Sequence, residues 1–383
     1  MPLSTANAAP APIGGECRAW FATEPVGTLT RPDPVSLPSI MASLKRLAVQ
    51  TLTAPGMRHL FWPLLRDRAS IFMLHRFRMP DLGVEGHDPG ELGRALAEFR
   101  RRRYDLVDLE GLFRALAEGR KFSRPTVAFT IDDGYLDQSQ VAAPVFAEYD
   151  APVTTFVTSG FLDGRLWFWW DRIEYAFRRS ERREVEIVLG DQRLRYSWPA
   201  GGAHIEAQAD FTARCKLVSD AEKQEAIDRL AGSLDVSLPV VPPLEYRPMT
   251  WDDVRRCETR GMRFGPHTVT HPVLSRTPNE QSRMELTDGW ERLCTEASQP
   301  VPVFCYPNGQ SADFAEREID TLSSLGFLGA VVGEAGYADT NRFRQSRDAA
   351  FRVRRFSYIE DIGTLLQAVS GVERAKQLVR LEA

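Results

Sequence analysis

The sequence lacks the features that mark a membrane-spanning, a disulfide-bonded or a nucleic-acid-binding protein. Its 383 residues contain no run of about 18–20 uncharged apolar residues, the length that a membrane-spanning helix needs. The five cysteines are scattered and odd in number and form no C-x-x-C pair, so neither a disulfide framework nor a cysteine-type zinc site is expected. With 48 basic against 52 acidic residues, no basic excess indicates a nucleic-acid partner. A reducing, cytoplasmic compartment is the simplest interpretation.

The first 68 residues differ in composition from the rest of the chain. Residues 1–40 are rich in Ala, Pro, Gly, Ser and Thr and have no apolar stretch preceded by basic residues, unlike a secretory signal. Either they form a disordered leader or the protein starts at Met41. Residues 41–68 form a basic, amphipathic segment that is broken at Pro55-Gly56. Two interpretations stay open for its part 42–66: packing along the bottom of the next domain, or peripheral contact with an anionic membrane surface.

From Ala69 onward, short apolar segments alternate with segments of helical periodicity. The predicted strands are residues 71–74, 126–131, 153–158, 262–264, 301–306, 328–332 and 351–356. The predicted helices include residues 91–101, 109–118 and 282–296. Such alternation is typical of βα units with a parallel sheet, and about seven strands fit a barrel as well as a doubly wound sheet.

Residues 165–246 interrupt this alternation. They contain a Trp-rich stretch (LWFWWD, 166–171), a helical pattern to Arg179, a strand pair at 185–189 and 193–198, and a charged helical pattern at 221–230. We predict an α+β insertion over one end of a domain that spans residues 69–370, followed by a C-terminal tail at 371–383. The tryptophans either line a substrate groove or anchor the insertion to its own core.

Two carboxylates follow the apolar stretch 127–129, in the motif TIDDGY (130–135). Adjacent like charges raise one pKa, and a bound cation would offset their repulsion. The position matters as well, because active sites of parallel α/β proteins collect at the carboxyl ends of strands. Asp-Gly is also a common turn dipeptide, so a plain turn is the alternative.

Two histidines follow another predicted strand, in the motif PHTVTHP (266–272). Histidines four residues apart lie on one face of a helical turn and can share one metal ion. The motif is not the H-E-x-x-H of zinc proteases, because Thr268 stands in the place of the glutamate. Two solvated loop histidines are the alternative.

Together, the two motifs resemble those of the NodB-homology polysaccharide deacetylases, carbohydrate esterase family 4. Residues 130–134 (TIDDG) match the T-F-D-D-G motif with Ile in place of Phe, and residues 267–271 (HTVTH) match H-[ST]-x-x-H. Residues 304–309 (FCYPNG) are similar to the F-x-[YW]-P-x-G form of a third motif. Residues 351–356 (FRVRRF) resemble a late strand with an arginine near its end. The resemblance extends from about Ser70 to Ser357.

This resemblance implies a deformed (β/α) barrel of about seven strands that binds one divalent metal ion, usually zinc. Carried over by position, Asp133, His267 and His271 are the metal ligands and Asp132 is the catalytic base. Three protein ligands leave a position for water, whose pKa falls to about 7 on such a metal. By the same comparison, the backbone N–H of Asn308 stabilises the oxyanion.

The chain departs from the family pattern in two places. Many members begin the third motif with an arginine that orients the base, whereas this chain has Cys305 there. We place Arg355, which lies near the end of the late strand, among the candidate catalytic residues. Many members also have a late histidine as general acid, but no histidine follows His271. His75 is the candidate acid, because it follows the first strand and the first and last strands of a barrel are neighbours. A structural role at the strand exit is the alternative.

The resemblance implies an acetylated glycan as substrate, with Tyr135, Trp169, Trp170 and Tyr306 as candidate substrate-binding residues. We therefore predict a metal-dependent deacetylase acting on an N-acetylated sugar of a polysaccharide or glycoconjugate. Two alternatives stay open: an amide hydrolase with a small non-sugar substrate, and a catalytically silent carbohydrate-binding protein of the same fold.

Overall fold

The computed structural model describes residues 47, 49, 51–53, 56–199 and 204–382. The predicted leader and most of the amphipathic segment before Gly56 lie outside these residues. Within the described ranges, no helix combines the length and the apolar composition that crossing a bilayer requires.

The centre of the fold is a largely parallel sheet. The strands along the chain are β1 (Arg68–Leu74), β2 (Asp105–Leu106), β3 (Thr126–Asp133), β4 (Val153–Val157), β5 (Glu184–Leu189), β6 (Gln192–Ser197), β7 (Met262–Pro266), β8 (Val303–Cys305), β9 (Gly329–Val331), β10 (Ala338–Asp339) and β11 (Phe356–Ser357). β1, β3, β4 and β7 lie side by side and parallel. β11 runs parallel to β1, β10 runs antiparallel to it, and β2 pairs with the start of β3. All eight positions of β3 are buried, which explains the continuous apolar stretch before its two carboxylates.

Beyond β7 the sheet continues through single bridges. β8 and β9 form a separate parallel pair. Phe264 in β7 bridges to Pro300 before β8, and Val331 in β9 bridges to Val353 before β11. Because β11 pairs with β1, these contacts lead through seven strand segments and back to β1. The structure has the mixed α/β architecture with a parallel core of about seven strands that the sequence predicted, and regular pairing is interrupted on the β8–β9 side.

Helices follow most of the parallel strands and cover the outside of the sheet. They are α1 (Arg58–Phe61), α2 (Pro89–Arg101), α3 (Leu109–Ala117), α4 (Ala143–Glu148), α5 (Ser159–Leu162), α6 (Trp169–Arg179), α7 (Ile205–Cys215), α8 (Asp220–Ser233), α9 (Trp251–Glu258), α10 (Asn279–Glu296), α11 (Glu316–Ser324), α12 (Thr340–Phe343), α13 (Arg347–Ala350), α14 (Ile362–Ser370) and α15 (Val372–Glu382). In α2, for example, Leu92, Leu96 and Phe99 are spaced three or four residues apart and are fully buried.

The insertion has its own hydrophobic core. α6, α7 and α8 pack with the antiparallel pair β5–β6, and Ile173, Ile187, Phe211 and Ile227 are buried among them. Burial alternates along β5, as expected for a strand with one solvent face. A two-residue turn at Gly190-Asp191 joins the strands, as the sequence predicted. The first and last helices were also predicted, whereas α7 was not.

The two ends of the described chain contact each other. Leu65 is buried, and a Cβ on Gly371 would lie 2.5 Å from the carbonyl oxygen of Phe61, so only glycine allows this approach. The residues that the sequence analysis assigned to a C-terminal tail contain α15. The described part of the amphipathic segment therefore packs against the C-terminal end of the domain.

Candidate active site

The adjacent carboxylates lie at the carboxyl end of β3, where the chain turns out of the sheet. Asp132 and Asp133 are buried and line a cavity of about 700 Å³ at the end of the barrel where the parallel strands terminate. Asp133 and Gly134 both have positive φ, 90° and 99°. A Cβ on Gly134 would meet Leu162 Cδ1 at 2.7 Å, so this turn requires glycine. The motif is thus a strained turn that presents two carboxylates to one cavity.

Both motif histidines lie beside Asp133. The Nε2 atoms of His267 and His271 are 3.7 Å and 3.6 Å from Oδ1 of Asp133, and all three side chains are buried. The prediction that the histidines share one face of a helical turn is wrong. Residues 267–273 form an irregular loop after β7, in which Thr268 and His271 have positive φ. Hydrogen bonds from neighbouring elements, rather than helical periodicity, bring the two rings together.

Glu285 of α10 holds this histidine loop from one side. Its Oε2 accepts hydrogen bonds from the backbone N–H groups of Val269 and Thr270, each at 2.8 Å, and its Oε1 accepts from the Thr270 hydroxyl at 2.6 Å. Burial raises the pKa of Glu285, and these hydrogen bonds oppose the rise. Sequence reasoning missed Glu285. The available signal was an acidic residue in the inward-facing stripe of an amphipathic helix, next to Leu286.

The segment after β4 holds the histidine loop from the other side. The Thr158 hydroxyl donates to the carbonyl oxygen of His267 at 3.0 Å. The backbone N–H groups of Ser159 and Gly160 donate to the carbonyl oxygens of Thr268 and Val269. A Cβ on Gly160 would lie 2.6 Å from the carbonyl oxygen of Val269, so the close approach needs glycine.

The electrostatics of Asp133, His267 and His271 suit a bound cation. Burial, and then repulsion from Asp132, raises the pKa of Asp133 well above its ordinary value. Burial lowers the pKa of His267 to about 4 and also lowers the pKa of His271. Nδ1 of His267 lies 2.7 Å from the carbonyl oxygen of Cys305, which assigns the ring proton to Nδ1 and leaves Nε2 free. One carboxylate and two neutral imidazoles are a donor set that zinc accepts, so these residues fit the metal that the sequence predicted.

Asp132 and Arg355 form a buried ion pair. Nη1 and Nη2 of Arg355 donate to Oδ1 and Oδ2 of Asp132 at 2.7 Å and 2.8 Å. Burial alone raises the pKa of Asp132, but the charge and hydrogen bonds of Arg355 outweigh it and hold the pKa well below its ordinary value. Sγ of Cys305 lies 3.3 Å from Nη2 of Arg355 and 3.5 Å from Oδ2 of Asp132. The guanidinium that faces Asp132 therefore comes from the last strand segment, and the small Cys305 lies against it.

Asp132, His267 and Cys305 form a second group with metal-ligand spacing, which overlaps the first at His267. Two observations favour the Asp133 group. The carboxylate of Asp132 is already held on both oxygens by Arg355, and burial raises the pKa of the Cys305 thiol well above its ordinary value, so it stays protonated.

His75 reaches the same cavity from the end of β1. Its Nε2 is 3.9 Å from Oδ2 of Asp132, and its side chain is 46% exposed. The pKa of His75 is lowered by burial of the ring against the cavity wall and by Arg355, while the Asp132 carboxylate opposes the shift. Gln138, which the sequence analysis did not single out, joins the two strand ends: its amide donates to the carbonyl oxygens of His75 and Asp132 at 2.7 Å and 2.5 Å.

Tyr135 belongs to a buried polar cluster at the wall of the cavity. Its hydroxyl donates to Oδ2 of Asp171 at 2.7 Å and accepts from the indole N–H of Trp170 at 2.9 Å. The Arg76 guanidinium lies 3.9 Å from the centre of the Tyr135 ring. Burial raises the pKa of Asp171 to about 8, while Arg76 and the hydrogen bond from Tyr135 oppose the rise. This cluster joins the barrel to the first helix of the insertion, and neither Asp171 nor Arg76 was predicted.

Tyr306 and Asn308 line the cavity after β8 and carry polar atoms that lack partners. The Tyr306 hydroxyl and the Asn308 side-chain nitrogen are buried without a hydrogen-bond partner among the described residues. The Tyr306 ring stacks on Phe314 at 3.7 Å between centroids. Asn308 has a positive φ of 59°. Unpaired buried donors at a cavity wall are costly unless a ligand completes them.

Trp169 and Trp170 lie between the insertion and the metal-ligand residues. Trp169 is only 5% exposed and packs in the core of the insertion. Trp170 is partly exposed, and its ring centre is 4.6 Å from that of His271. Both line the cavity, but Trp170 offers more surface to a ligand.

Comparison with known proteins agrees with this geometry. The model of a family described as polysaccharide deacetylase matches residues 119–328, more than half of the chain. The match contains both motifs and leaves out His75 and Arg355. No curated protein matches the chain.

Solved structures show a similar fold at low sequence identity. The deacetylase PplD of Streptococcus pyogenes, solved in complex with acetate, is 17% identical with a TM-score of 0.52, and the alignment covers 80% of this chain and 99% of that protein. IcaB from Ammonifex degensii is 15% identical with a TM-score of 0.48, covering 80% and 97% of the two chains. The likeness to PplD shows a shared fold.

Proposed function

The chain belongs to the polysaccharide deacetylase family, and on that premise we propose that it removes acetyl groups from N-acetylated sugars of a polysaccharide or glycoconjugate. The family makes it a hydrolase of carbon–nitrogen bonds other than peptide bonds. One observation carries the proposal: the group Asp133, His267 and His271 lies in the same cavity as the Asp132–Arg355 pair.

Asp133, His267 and His271 are the residues that would hold a divalent ion, most suitably zinc. The ion supplies Lewis acidity, which lowers the pKa of water and polarises an acetyl carbonyl. Glu285 and the segment after β4 keep the two histidines in position, as hydrogen-bonded neighbours of metal ligands commonly do.

Asp132 is the proposed general base. Because Arg355 keeps its pKa low, Asp132 is a carboxylate at neutral pH and can accept a proton from water. Arg355 touches both carboxylate oxygens and so acts as a positioning residue for the base. His75 contacts the same carboxylate from the exposed side, where it can pass a proton to the leaving amine.

The acetyl group would lie toward Tyr306 and Asn308. The backbone N–H of Asn308 is the proposed donor to the oxyanion, and the unpaired donors on the two side chains give a polar ligand further partners. Tyr135, Trp169 and Trp170 would bound the sugar on the side of the insertion, since the apolar faces of sugar rings pack on aromatic side chains. We propose the domain 69–370, with its insertion 165–246, as the catalytic unit.

The test is a screen of acetylated glycans with detection of released acetate. The zinc-loaded protein should release acetate from at least one N-acetylated glycan, and Asp133→Asn protein should release none. Acetate release from a small acetamide but from no glycan would instead support the small-substrate alternative. Metal binding without any acetate release would support a silent binding protein.

A further inference from the structure

A cavity of about 380 Å³ lies at the opposite end of β1 from the candidate active site. Arg68, the first residue of β1, lines this cavity, whereas His75 follows the last residue of β1 and lines the catalytic cavity. Because a strand of 7 residues is about 20 Å long, the two cavities are separate sites. We call this one the basal cavity; the charged residues of its wall are Arg66, Asp67, Arg68, Lys121 and Arg374.

The basal cavity brings together cations from distant parts of the chain. Arg66 precedes β1, Lys121 lies between α3 and β3, and Arg374 lies in α15. The first two segments are joined by the backbone, since the N–H of Phe122 donates to the carbonyl oxygen of Arg66 at 2.8 Å. The positive charge is therefore concentrated by the tertiary structure and not by a basic run in the sequence.

Three of these cations have no anionic partner. Among the residues that the structure describes, no carboxylate lies within ion-pair distance of Arg66, Lys121 or Arg374. The side-chain hydrogen bond of Arg374 goes to the neutral Gln377, at 3.5 Å. Arg101, by contrast, pairs with a glutamate one helical turn away, as other surface arginines do. The charge at the basal cavity is therefore available to a ligand.

The carboxylate in the wall is already held by other groups. Oδ1 of Asp67 accepts from Nη1 of Arg68 at 2.5 Å, and Oδ2 accepts from the side-chain amide of Asn341 at 2.6 Å. Arg68 also pairs with Asp339 at 2.7 Å. Even when both aspartates are counted, the positive charges exceed the negative charges by two. The basal cavity therefore favours an anionic ligand.

The donor types and the apolar part of the wall indicate which anion fits. Guanidinium and ammonium groups offer several N–H donors, and phosphate oxygens accept from them at short distance. Pro63, Leu64 and Leu378 also line the cavity. Leu60 and Val379, on the same two segments, are 64% and 66% exposed. A phosphate ester uses both parts of this wall, because its organic group can contact the apolar residues.

We propose that the basal cavity binds the phosphate group of an ester, with a phospholipid headgroup and a soluble phosphate ester as its two sources. The proposal does not depend on the proposed deacetylase function. A bound phosphate would connect the segment before β1 with α15, because Arg66 and Arg374 come from these two elements. Binding should therefore raise Tm.

Two probes distinguish the sources: glycerol 3-phosphate, titrated by calorimetry, and phosphatidylcholine vesicles with one-fifth phosphatidylglycerol, tested by co-sedimentation. Binding of glycerol 3-phosphate indicates a soluble ester, and binding of the vesicles alone indicates a lipid headgroup; either result supports the site. In Arg66→Gln/Lys121→Gln protein, the affinity should fall about tenfold or more, because two hydrogen bonds between charged groups are lost. Both residues are exposed, so Tm without ligand should stay unchanged.

Arg103→Gln/Arg124→Gln is the matched control. These two residues are exposed, precede β2 and β3 at the same end of the sheet, and do not line the basal cavity. The control removes the same net charge and should retain most of the affinity. Equal weakening in the two double variants would show non-specific attraction to charge and would overturn the proposal. Failure of the unmodified protein to bind either probe would overturn it as well.

Discussion

Asp132 and Asp133 are adjacent, but the same substitution should affect them differently. Asp132→Asn keeps the shape of the base and removes its proton acceptor, so turnover should fall by about 10²-fold or more while the metal stays bound. Asp133→Asn, His267→Ala and His271→Ala each remove a proposed ligand, so the metal content should fall from about one ion per chain toward zero. Elemental analysis and acetate release measure both effects. Loss of metal from Asp132→Asn but not from Asp133→Asn would show that the two roles are exchanged.

Arg355 should control the pH at which the base works. In Arg355→Gln the buried carboxylate of Asp132 loses its cation, so its pKa rises and the acidic limb of the pH–rate profile moves to higher pH. Unfolding should also become easier by about 3–5 kcal/mol, the usual cost of removing one partner of a buried pair. Arg355→Lys should restore part of the profile. Arg354→Gln, at a 39% exposed neighbour, is the control; a pH profile unchanged in Arg355→Gln would exclude the positioning role.

His75 should matter for proton delivery rather than for metal binding. His75→Ala is expected to keep the metal and the fold but to lower kcat and to remove the alkaline limb of the pH–rate profile. The physical reason is that the protonated fraction of His75 falls as the pH rises through its pKa. His204→Ala, in the insertion, is the matched control. If His75→Ala retains kcat and the same pH profile, His75 only orders the strand exit.

The residues of the site differ in how far the sequence could predict them. Asp132, Asp133, His267 and His271 lie in short motifs next to strands, and the structure brings them together. Gln138 was not predictable, because its role depends on two backbone carbonyls that come together only when β1 and β3 pair. Asp171 was not predictable for a similar reason, since its partner Tyr135 belongs to a different part of the fold.

At the scale of elements, α10 should determine how well the histidine loop holds metal. Glu285→Ala leaves the N–H groups of Val269 and Thr270 without their acceptor, so metal affinity should fall about 10–100-fold while helix content is kept. Competition with a chelator measures the affinity, and circular dichroism measures the helix content. Glu291→Ala, at an exposed position of the same helix, is the control. Equal metal affinity in the two variants would contradict the proposed role of Glu285 in holding the histidine loop.

The elements themselves were predictable where their apolar pattern is long. β3 and β4 lie within a residue or two of their predicted bounds, whereas β8 and β9 are shorter than predicted and only Phe356 of the predicted strand 351–356 lies in β11. Where pairing is reduced to single bridges, an apolar sequence does not imply a regular strand. The helical turn predicted for the histidine loop is absent, because the φ values of this loop depend on contacts with α10 and with the segment after β4.

At the scale of the whole molecule, the residues before Asp67 should contribute to stability where they are buried. Deleting residues 1–66 should lower Tm, because Thr53 and Leu65 are buried, Arg102 donates to the carbonyl oxygen of Thr53, and Leu65 alone is worth about 1.5–3 kcal/mol. Co-sedimentation with anionic vesicles tests the proposed membrane contact in parallel. Lipid binding by the full chain that the deletion abolishes would support the contact, and unchanged binding would refute it. An unchanged Tm after the deletion would contradict the packing of residues 56–66.

The position of Arg355 near the end of the chain has a consequence during protein synthesis. The proposed metal ligands are complete once His271 has left the ribosome, but the partner of Asp132 follows only with the last strand segment. At ordinary rates of translation this delay is on the order of ten seconds. A nascent chain therefore contains all the proposed metal ligands, and then Glu285 of α10 that holds their loop, before Asp132 has its counter-ion, and the buried ion pair can form only when the last strand segment pairs with β1.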